Sequence, residues 1–125
     1  MCYNDTVMLM QKISLKIEFH SDDMEYLKEF DGTIEENRII YNEDGIKMMI
    51  DLNNNIIARE NDDFKIEIDL SSNKCTYYLK EHHLETTLEV ESKIIKKDNK
   101  ILIEYFLIDN RENKIIYNIE YNIKK

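Results

Sequence analysis

Apolar and polar residues alternate along most of this chain, and that alternation limits the fold more than any other feature of the sequence. In FKIEIDL, residues 64–70, every second side chain is apolar and the side chains between are charged. The same period of two recurs in ISLKIEF, LETTLEV and IIYNIEYNI. A period of two is typical of a β-strand with one face in the core and the other in water. The sequence therefore predicts an all-β protein.

Short clusters of turn-forming residues separate the alternating segments. Asp44-Gly45 is a strong hairpin signal, because both residues tolerate a positive φ. Elsewhere Asn-rich clusters such as residues 53–55 and 61–63 stand where glycine is usual. Connections this short join only antiparallel neighbours. We therefore expect a chain that runs up and down, with a hairpin at each cluster.

The number of strands predicts how the sheet closes. The pattern indicates about 8–10 strands, and an open sheet of that size would leave one apolar face bare and two edges exposed. We therefore predict a single antiparallel up-and-down β-barrel, which buries the face and removes the edges. A two-sheet sandwich is the alternative, although sandwiches usually have longer crossing loops. The segment SDDMEYLKEF, residues 21–30, fits a helix and a strand equally well.

Length and charge limit the organisation of the chain and its partners. A chain of 125 residues is predicted to form a single domain, residues 1–125, in which residues 1–7 are a loosely ordered N-terminal tail. The net charge of −9 argues against nucleic acid and against an anionic membrane surface. MCYNDTVMLMQK lacks a basic leader, and Cys2 and Cys75 form no spaced framework. We therefore expect a cytoplasmic protein with free thiols.

The alternation also predicts which side chains form the core. The expected interior residues are Ile13, Leu15, Ile17, Ile66, Ile68, Leu88, Val90, Ile103, Tyr105, Ile119 and Tyr121. Leu84 shares the apolar face of Leu88 and Val90. The polar residues between these positions are expected to face water, because neighbours in a strand point to opposite sides of the sheet.

Motifs spread along the chain carry a resemblance to a known family. In order they are NEDGIKMMIDLNNNIIARE, which ends near Arg59, then KCTYYLKE, LETTLEVESKI and ILIEYFLI, which contains Tyr105. In this order and spacing, residues 13–121 resemble the YwiB-like family of small bacterial proteins, a calycin-like β-barrel domain of unknown function. The chain departs from the family pattern at Glu60-Asn61 and at His82-His83, where the family usually has glycine-containing sequences.

The resemblance carries expectations of its own. It implies a calycin-like or lipocalin-like barrel, and it makes residues 21–30 a strand. It implies no known activity and no cofactor. Lipocalins and fatty-acid-binding proteins belong to the same calycin class, so a cavity for a ligand follows by fold analogy alone.

Arg59 is the most informative single residue for function. In IIARE it shares a strand face with Ile57, so an inward Ile57 would bring Arg59 inward near one end of the barrel. A buried guanidinium needs a partner. That partner is either a ligand carboxylate or phosphate, or an internal glutamate or hairpin carbonyl, and internal pairing is the more common case. Tyr77, Tyr105 and Tyr117 are candidates to line the same ligand cavity, with ordinary strand packing as the alternative.

No group of residues in the sequence predicts catalysis or metal binding. His82 and His83 are neighbours, so on a strand their imidazoles cannot converge on one ion. In a turn they could converge, but no third ligand stands at a recognisable spacing. Cys75 shares a face with Tyr77 and has no activating base nearby in the sequence. The two glycines cannot form a phosphate-binding loop. We therefore expect no metal, no cofactor and no enzymatic activity.

The predicted function is that of a small barrel that binds an apolar or anionic amphipathic small molecule inside. The alternative is a structural or protein-interaction module with a barrel filled by side chains and an acidic surface. The volume of empty space inside the barrel distinguishes the two. A homodimer is a further expectation, because ILIEYFLI places Leu102, Phe106 and Ile108 on the face opposite its core residues.

Overall fold

Ten β-strands make up most of residues 9–124, the part of the chain that the computed structural model describes. The predicted tail, residues 1–7, and Cys2 lie outside the described residues. The strands are β1 (Gln11–His20), β2 (Glu25–Glu35), β3 (Arg38–Glu43), β4 (Ile46–Asp51), β5 (Ile56–Glu60), β6 (Phe64–Asp69), β7 (Lys74–Leu79), β8 (Leu84–Lys97), β9 (Lys100–Leu107) and β10 (Ile115–Ile123).

Each strand pairs antiparallel with the strands before and after it in sequence, and the first strand pairs with the last. The closing seam between β1 and β10 runs from Ile13 opposite Ile123 to His20 opposite Ile116. The sheet is therefore a closed up-and-down barrel, which confirms the predicted fold class and excludes the sandwich. Most of the ambiguous segment, residues 21–30, lies in β2, as the family resemblance implies.

Asparagine turns close one end of the barrel. Asn37, Asn55 and Asn73 have φ angles of 62°, 57° and 60°, and they recur at equal intervals along the sequence. The backbone carbonyl of each accepts a hydrogen bond from an N–H near the end of the following hairpin. Side chains add to this network, since Lys96 Nζ donates to Asn55 at 2.8 Å and to the Leu52 carbonyl at 2.7 Å. We call this the closed end, and the opposite end the mouth.

The core confirms most of the predicted interior positions. Buried as predicted are Ile13, Leu15, Ile17, Ile68, Val90, Ile103, Tyr105 and Ile119. Ile66, Leu88 and Tyr121 are only half-buried, so the prediction was too strong for them. Ile66 lines the mouth.

Leu88 and Leu84 lie on a part of β8 that extends beyond its neighbour. β8 pairs with β7 from Leu84 to Glu89, whereas its pairing with β9 begins only at Val90. One side of this segment therefore has no neighbouring strand among the described residues, and Leu84 is 56% exposed instead of sharing the buried face of Val90. The hairpin of β7 and β8 projects past the mouth.

One row of inward-facing side chains on β3 to β7 is buried, and we call this row the floor of the mouth. The register aligns Ile39, Ile50, Ile57, Ile68 and Cys75 across five consecutive strands. All five are at most 4% exposed. The hydrophobic cluster continues past this floor to Leu52, Leu70 and Ile101, which lie toward the closed end.

Candidate functional site

The next inward row toward the mouth contains Arg59. The register places Tyr41 opposite Met48, Met48 opposite Arg59, Arg59 opposite Ile66, and Ile66 opposite Tyr77. Met48 is buried, and Ile57 lies one row below on the same face of β5. Arg59 therefore faces the barrel interior near one end, as the alternation in the sequence predicts.

Arg59 is a half-buried residue, and its guanidinium has no partner within the described range. It makes no ion pair and no hydrogen bond with any of residues 9–124, whereas Arg38 pairs with Asp51 at 3.7 Å and Arg111 pairs with Glu91 at 3.6 Å. A charge in partly desolvated surroundings is costly unless an opposite charge or hydrogen-bond acceptors compensate it. The internal glutamate that would satisfy Arg59 is thus not found in this part of the chain.

Five tyrosines surround this charge: Tyr26, Tyr41, Tyr77, Tyr105 and Tyr117. Burial raises the pKa of all five hydroxyls, to about 12 for Tyr117, and the positive charge of Arg59 partly opposes that increase at each. The hydroxyls therefore remain protonated at neutral pH and are able to donate hydrogen bonds.

A narrow cleft opens on one side of Arg59. It has a volume of about 160 Å³. Its polar boundary includes Arg59, Tyr77 and Tyr105, and its apolar boundary includes Ile66, Ile68, Leu107 and Ile115. Cys75 lies in its wall as a buried free thiol, and burial raises the pKa of that thiol. A high pKa keeps the sulfur protonated and a weak nucleophile at neutral pH.

A wide cleft opens on the other side of Arg59, with a volume of about 390 Å³. Phe19, Tyr26, Met48 and Tyr117 form its apolar wall, and Lys28, Asp23, Glu43 and Asp44 lie around it. The Phe19 ring stacks on Tyr26 and meets Tyr117 edge to face, with ring centroids 5.0 Å apart in both pairs. The Tyr26 hydroxyl donates to Glu43 at 3.3 Å. This cleft therefore has aromatic side chains in its wall and three acidic residues, Asp23, Glu43 and Asp44, around it.

Tyr41 has the least satisfied polar group near the site. Its side chain is 1% exposed, and its hydroxyl has no hydrogen-bond partner among residues 9–124. The ring lies 5.0 Å from that of Phe30. A buried hydroxyl without a partner costs free energy. Tyr41 borders neither of the two clefts, so its hydroxyl is not placed to contact a ligand there.

The structure brings the predicted ligand-binding residues together at the mouth. Arg59 borders both clefts, Tyr77 and Tyr105 border the narrow cleft, and Tyr117 borders the wide cleft. Sequence reasoning missed Tyr26 and Tyr41. Tyr41 had a usable signal, because it alternates with the core residue Ile39 ahead of the Asp44-Gly45 turn. Tyr26 had none, since its segment fitted two kinds of secondary structure.

The residues considered for metal binding and nucleophilic chemistry lie apart. No group of three or more His, Cys, Asp or Glu side chains in the described part of the chain is arranged to hold a metal ion. His82 and His83 lie in the turn between β7 and β8, where His83 Nδ1 is 3.3 Å from the Tyr78 hydroxyl. Cys75 is buried on the floor, away from both histidines.

Comparisons with known proteins support the fold. No family model and no curated protein matches the sequence. The crystal structure of the ywiB protein from Bacillus subtilis is similar, with a TM-score of 0.58 and 16% sequence identity over 95% of this chain and 96% of that chain. Residues 9–124 contain no helix long and apolar enough to cross a membrane. The likeness to the ywiB protein confirms, at the level of the fold, the resemblance to the YwiB-like family.

Proposed function

We propose that this protein is a non-catalytic β-barrel that binds an anionic small molecule with an apolar body at its mouth. The observation that carries the proposal is Arg59, an inward guanidinium with no partner among residues 9–124. A ligand carboxylate would accept two parallel hydrogen bonds from it. The apolar walls of the adjoining clefts would then supply most of the affinity, while the charged contact sets the orientation.

The surroundings of Arg59 suit a bound anion. The neutral tyrosine hydroxyls around it are donors to a ligand oxygen, and the floor below excludes water from one side. Partial burial strengthens a charge-assisted hydrogen bond relative to the same bond in water. The buried free thiol of Cys75 agrees with a cytoplasmic location, where thiols stay reduced, and we include that location in the proposal.

Calorimetric titration with a series of carboxylates, from benzoate to laurate, tests this function. We expect at least one of them to bind wild type with a one-to-one stoichiometry. Arg59→Met should weaken that binding by about tenfold or more, because a hydrogen bond to a charged group contributes about 1.5–3 kcal/mol.

Lys47→Met is the matched control for net charge. Lys47 is exposed on the outer face of β4, where it pairs in register with Glu60, next to Arg59 in sequence. Its loss removes one positive charge outside the barrel and should leave carboxylate affinity nearly unchanged. If wild type binds none of the carboxylates and Arg59→Met lowers the melting temperature, Arg59 is a structural residue and the proposal fails.

A structural or protein-interaction module is the second function that an observation favours. Packed apolar side chains continue from the floor toward the closed end, and the chain carries a net charge of −9. A filled barrel offers its outer surface to partners instead of a cavity. In that case the mouth would bind no carboxylate, and the acidic exterior would be the functional surface.

A further inference from the structure

We propose that the narrow cleft is the binding site and that its ligand is a compact monocarboxylate carrying a single ring or a short branched chain. This inference rests on the proposed function and names its ligand class. The carboxylate would lie against Arg59, and the ring among Ile66, Ile68 and Ile115. Charge, volume and the position of hydrogen-bond donors each support this choice over the wide cleft and over a long-chain fatty acid.

The two clefts differ in the charged side chains that border them. Arg59 is the only ionised side chain bordering the narrow cleft among the described residues, so a bound anion there meets one positive charge. The wide cleft is also bordered by Asp23, Glu43 and Asp44, against Lys28 and the same arginine. Like charges disfavour a second anion at short range, especially where water is partly excluded. An anion is therefore expected on the narrow side of Arg59.

Volume limits the size of the ligand. A dry apolar cavity of about 150 Å³ holds one benzene molecule. The narrow cleft, at about 160 Å³, is therefore matched to a single six-membered ring. It cannot extend toward the closed end, because Ile68 and Cys75 form a floor that is at most 4% exposed. A long acyl chain would have to leave through the mouth, where burial adds little to its affinity.

Two tyrosine side chains, Tyr77 and Tyr105, border the narrow cleft together with Arg59. Burial keeps both hydroxyls neutral at physiological pH, and the Tyr77 hydroxyl lies close to the Cys75 thiol. A neutral phenol donates a hydrogen bond, whereas a phenolate would repel a carboxylate. One bidentate arginine and two hydroxyl donors satisfy the oxygens of one carboxylate. A dianionic phosphate at this position would keep one negative charge that the single arginine does not balance.

Methyl NMR of the full-length protein locates the ligand. With benzoate as the probe, isoleucine and methionine methyl signals are followed during titration. We expect the methyl signals of Ile66, Ile68 and Ile115 to shift in a saturable way, while those of Met24 and Ile46 in the wide cleft stay in place. Saturable shifts confined to Met24 and Ile46 would overturn the assignment of the narrow cleft and leave the proposed function standing.

Matched compounds test the ligand class. Benzoate should bind at least tenfold more tightly than benzamide, which lacks the charge, and more tightly than phenyl phosphate, which carries more charge. Laurate should bind no more tightly than benzoate. Laurate affinity tenfold above that of benzoate would refute the compact class while supporting a binding barrel. Failure of every carboxylate to bind would refute the inference and the proposed function together.

Two tyrosine variants test whether a tyrosine hydroxyl of the narrow cleft donates a hydrogen bond to the bound carboxylate. Tyr77→Phe removes a hydroxyl from the narrow cleft, and Tyr26→Phe removes one from the wide cleft, where it donates to Glu43. We expect the first variant to weaken benzoate about threefold to tenfold, and the second to change its affinity by less than about twofold. The reverse order would contradict the assignment. Melting curves of both variants verify that each is folded during the titration.

Discussion

Neighbouring residues on β6 occupy opposite faces of the barrel wall, and the stability of the protein should depend on them unequally. Ile68 is 4% exposed and lies on the floor, whereas the Glu67 side chain is 41% exposed on the outside. Ile68→Ala is expected to lower the free energy of unfolding by about 2–5 kcal/mol, because it removes buried methyl groups and leaves a cavity. Glu67→Ala should change it by less than about 0.5 kcal/mol, since its ion pair with Lys65 is exposed.

Urea denaturation of the two variants and of wild type measures both changes. Equal losses in the two variants would show that the facing of β6 is misassigned.

Gly32 lies at a position of β2 where a side chain would meet the backbone of β3. A Cβ atom there would lie 2.7 Å from the Ile40 carbonyl oxygen and 2.9 Å from Leu15 Cδ1. The first of these contacts is with backbone, which cannot move away cheaply. Gly32→Ala should therefore cost about 1–3 kcal/mol of stability, as overpacking does elsewhere in protein cores.

Gly45→Asn is the control for Gly32→Ala in the same denaturation experiment. A side chain at position 45 meets open space, and asparagine tolerates the positive φ of 84°. We expect Gly45→Asn to lower the free energy of unfolding by less than Gly32→Ala does. A Gly32→Ala variant as stable as wild type would mean that β2 and β3 separate more easily than their register indicates.

His20 should titrate above the ordinary range for histidine. Hydrogen bonds to Glu18 at 3.1 Å and Glu25 at 3.0 Å raise its pKa above 6.5. A raised folded-state pKa stabilises the protein below pH 6.5, and that contribution disappears as the pH rises through the folded-state pKa. The difference in stability between wild type and His20→Gln should therefore shrink from pH 5 to pH 8.

NMR titration of the histidine ring protons gives the pKa of His20 directly. Glu18→Gln should lower that value, because the hydrogen bond to Glu18 is the largest cause of the shift. A His20 pKa at or below 6.5 in wild type would contradict the prediction.

At the scale of elements, the asparagine turns set where each hairpin ends. Asn55 has a φ of 57°, and its carbonyl accepts the Leu70 N–H at 2.8 Å. Its side chain also accepts from Lys96 at 2.8 Å. Asparagine suits this position because it tolerates the left-handed conformation and its amide bonds to neighbouring turns. The closed end thus depends on one residue type used repeatedly.

Substitutions at Asn55 separate the two roles of its side chain. Asn55→Gly keeps access to a positive φ and loses the hydrogen bonds, whereas Asn55→Ala loses both. The alanine variant should be about 1–2 kcal/mol less stable than the glycine variant, the cost of the left-handed conformation for a residue with a Cβ. Thermal or urea unfolding of both variants measures this difference. Equal stability would mean that the turn adopts another conformation in the alanine variant.

At the scale of the whole molecule, the predicted homodimer concerns the outer face of β9. Leu102 and Phe106 are half-buried there, and Ile108 follows directly after the strand, without a covering strand in the described residues. Glu104 lies between Leu102 and Phe106 and pairs with Lys93 at 3.5 Å and Lys114 at 3.4 Å. A second copy of the chain is proposed to cover this face, because apolar surface next to paired charges is common at interfaces.

Sedimentation equilibrium at micromolar concentration tests the homodimer. We expect a species of twice the 15.1 kDa chain mass in wild type and its loss in Leu102→Arg, which places a charge on the face. Asn42→Arg is the control, since it adds the same side chain and the same charge change at an exposed position of β3, four strands away from β9 around the barrel. A wild-type protein that sediments only at 15.1 kDa would refute the proposal.

Much of the fold and part of the site could be predicted because strand patterning is local. Period-two alternation alone assigns Ile13, Ile68 and Ile103 to the interior, and it turns Arg59 inward on the face of Ile57. The exposure of Leu88 and Leu84 could not be predicted from alternation alone. Their exposure depends on how far β9 extends beside β8, which is a property of a neighbouring strand and not of their own segment.

The sequence by itself determined most of the strands, their faces and the antiparallel order, because each follows from residues within a few positions of one another. It left residues 21–30 open between helix and strand. Only the tertiary structure decided that β1 closes on β10, and that Arg59 lies unpaired between two clefts of different charge. Those features depend on the register between ten neighbouring strands of the closed barrel. That register brings side chains that are far apart in sequence to the same level of the barrel. Tyr77, Tyr105 and Tyr117 meet at Arg59 for that reason, although no sequence spacing links them.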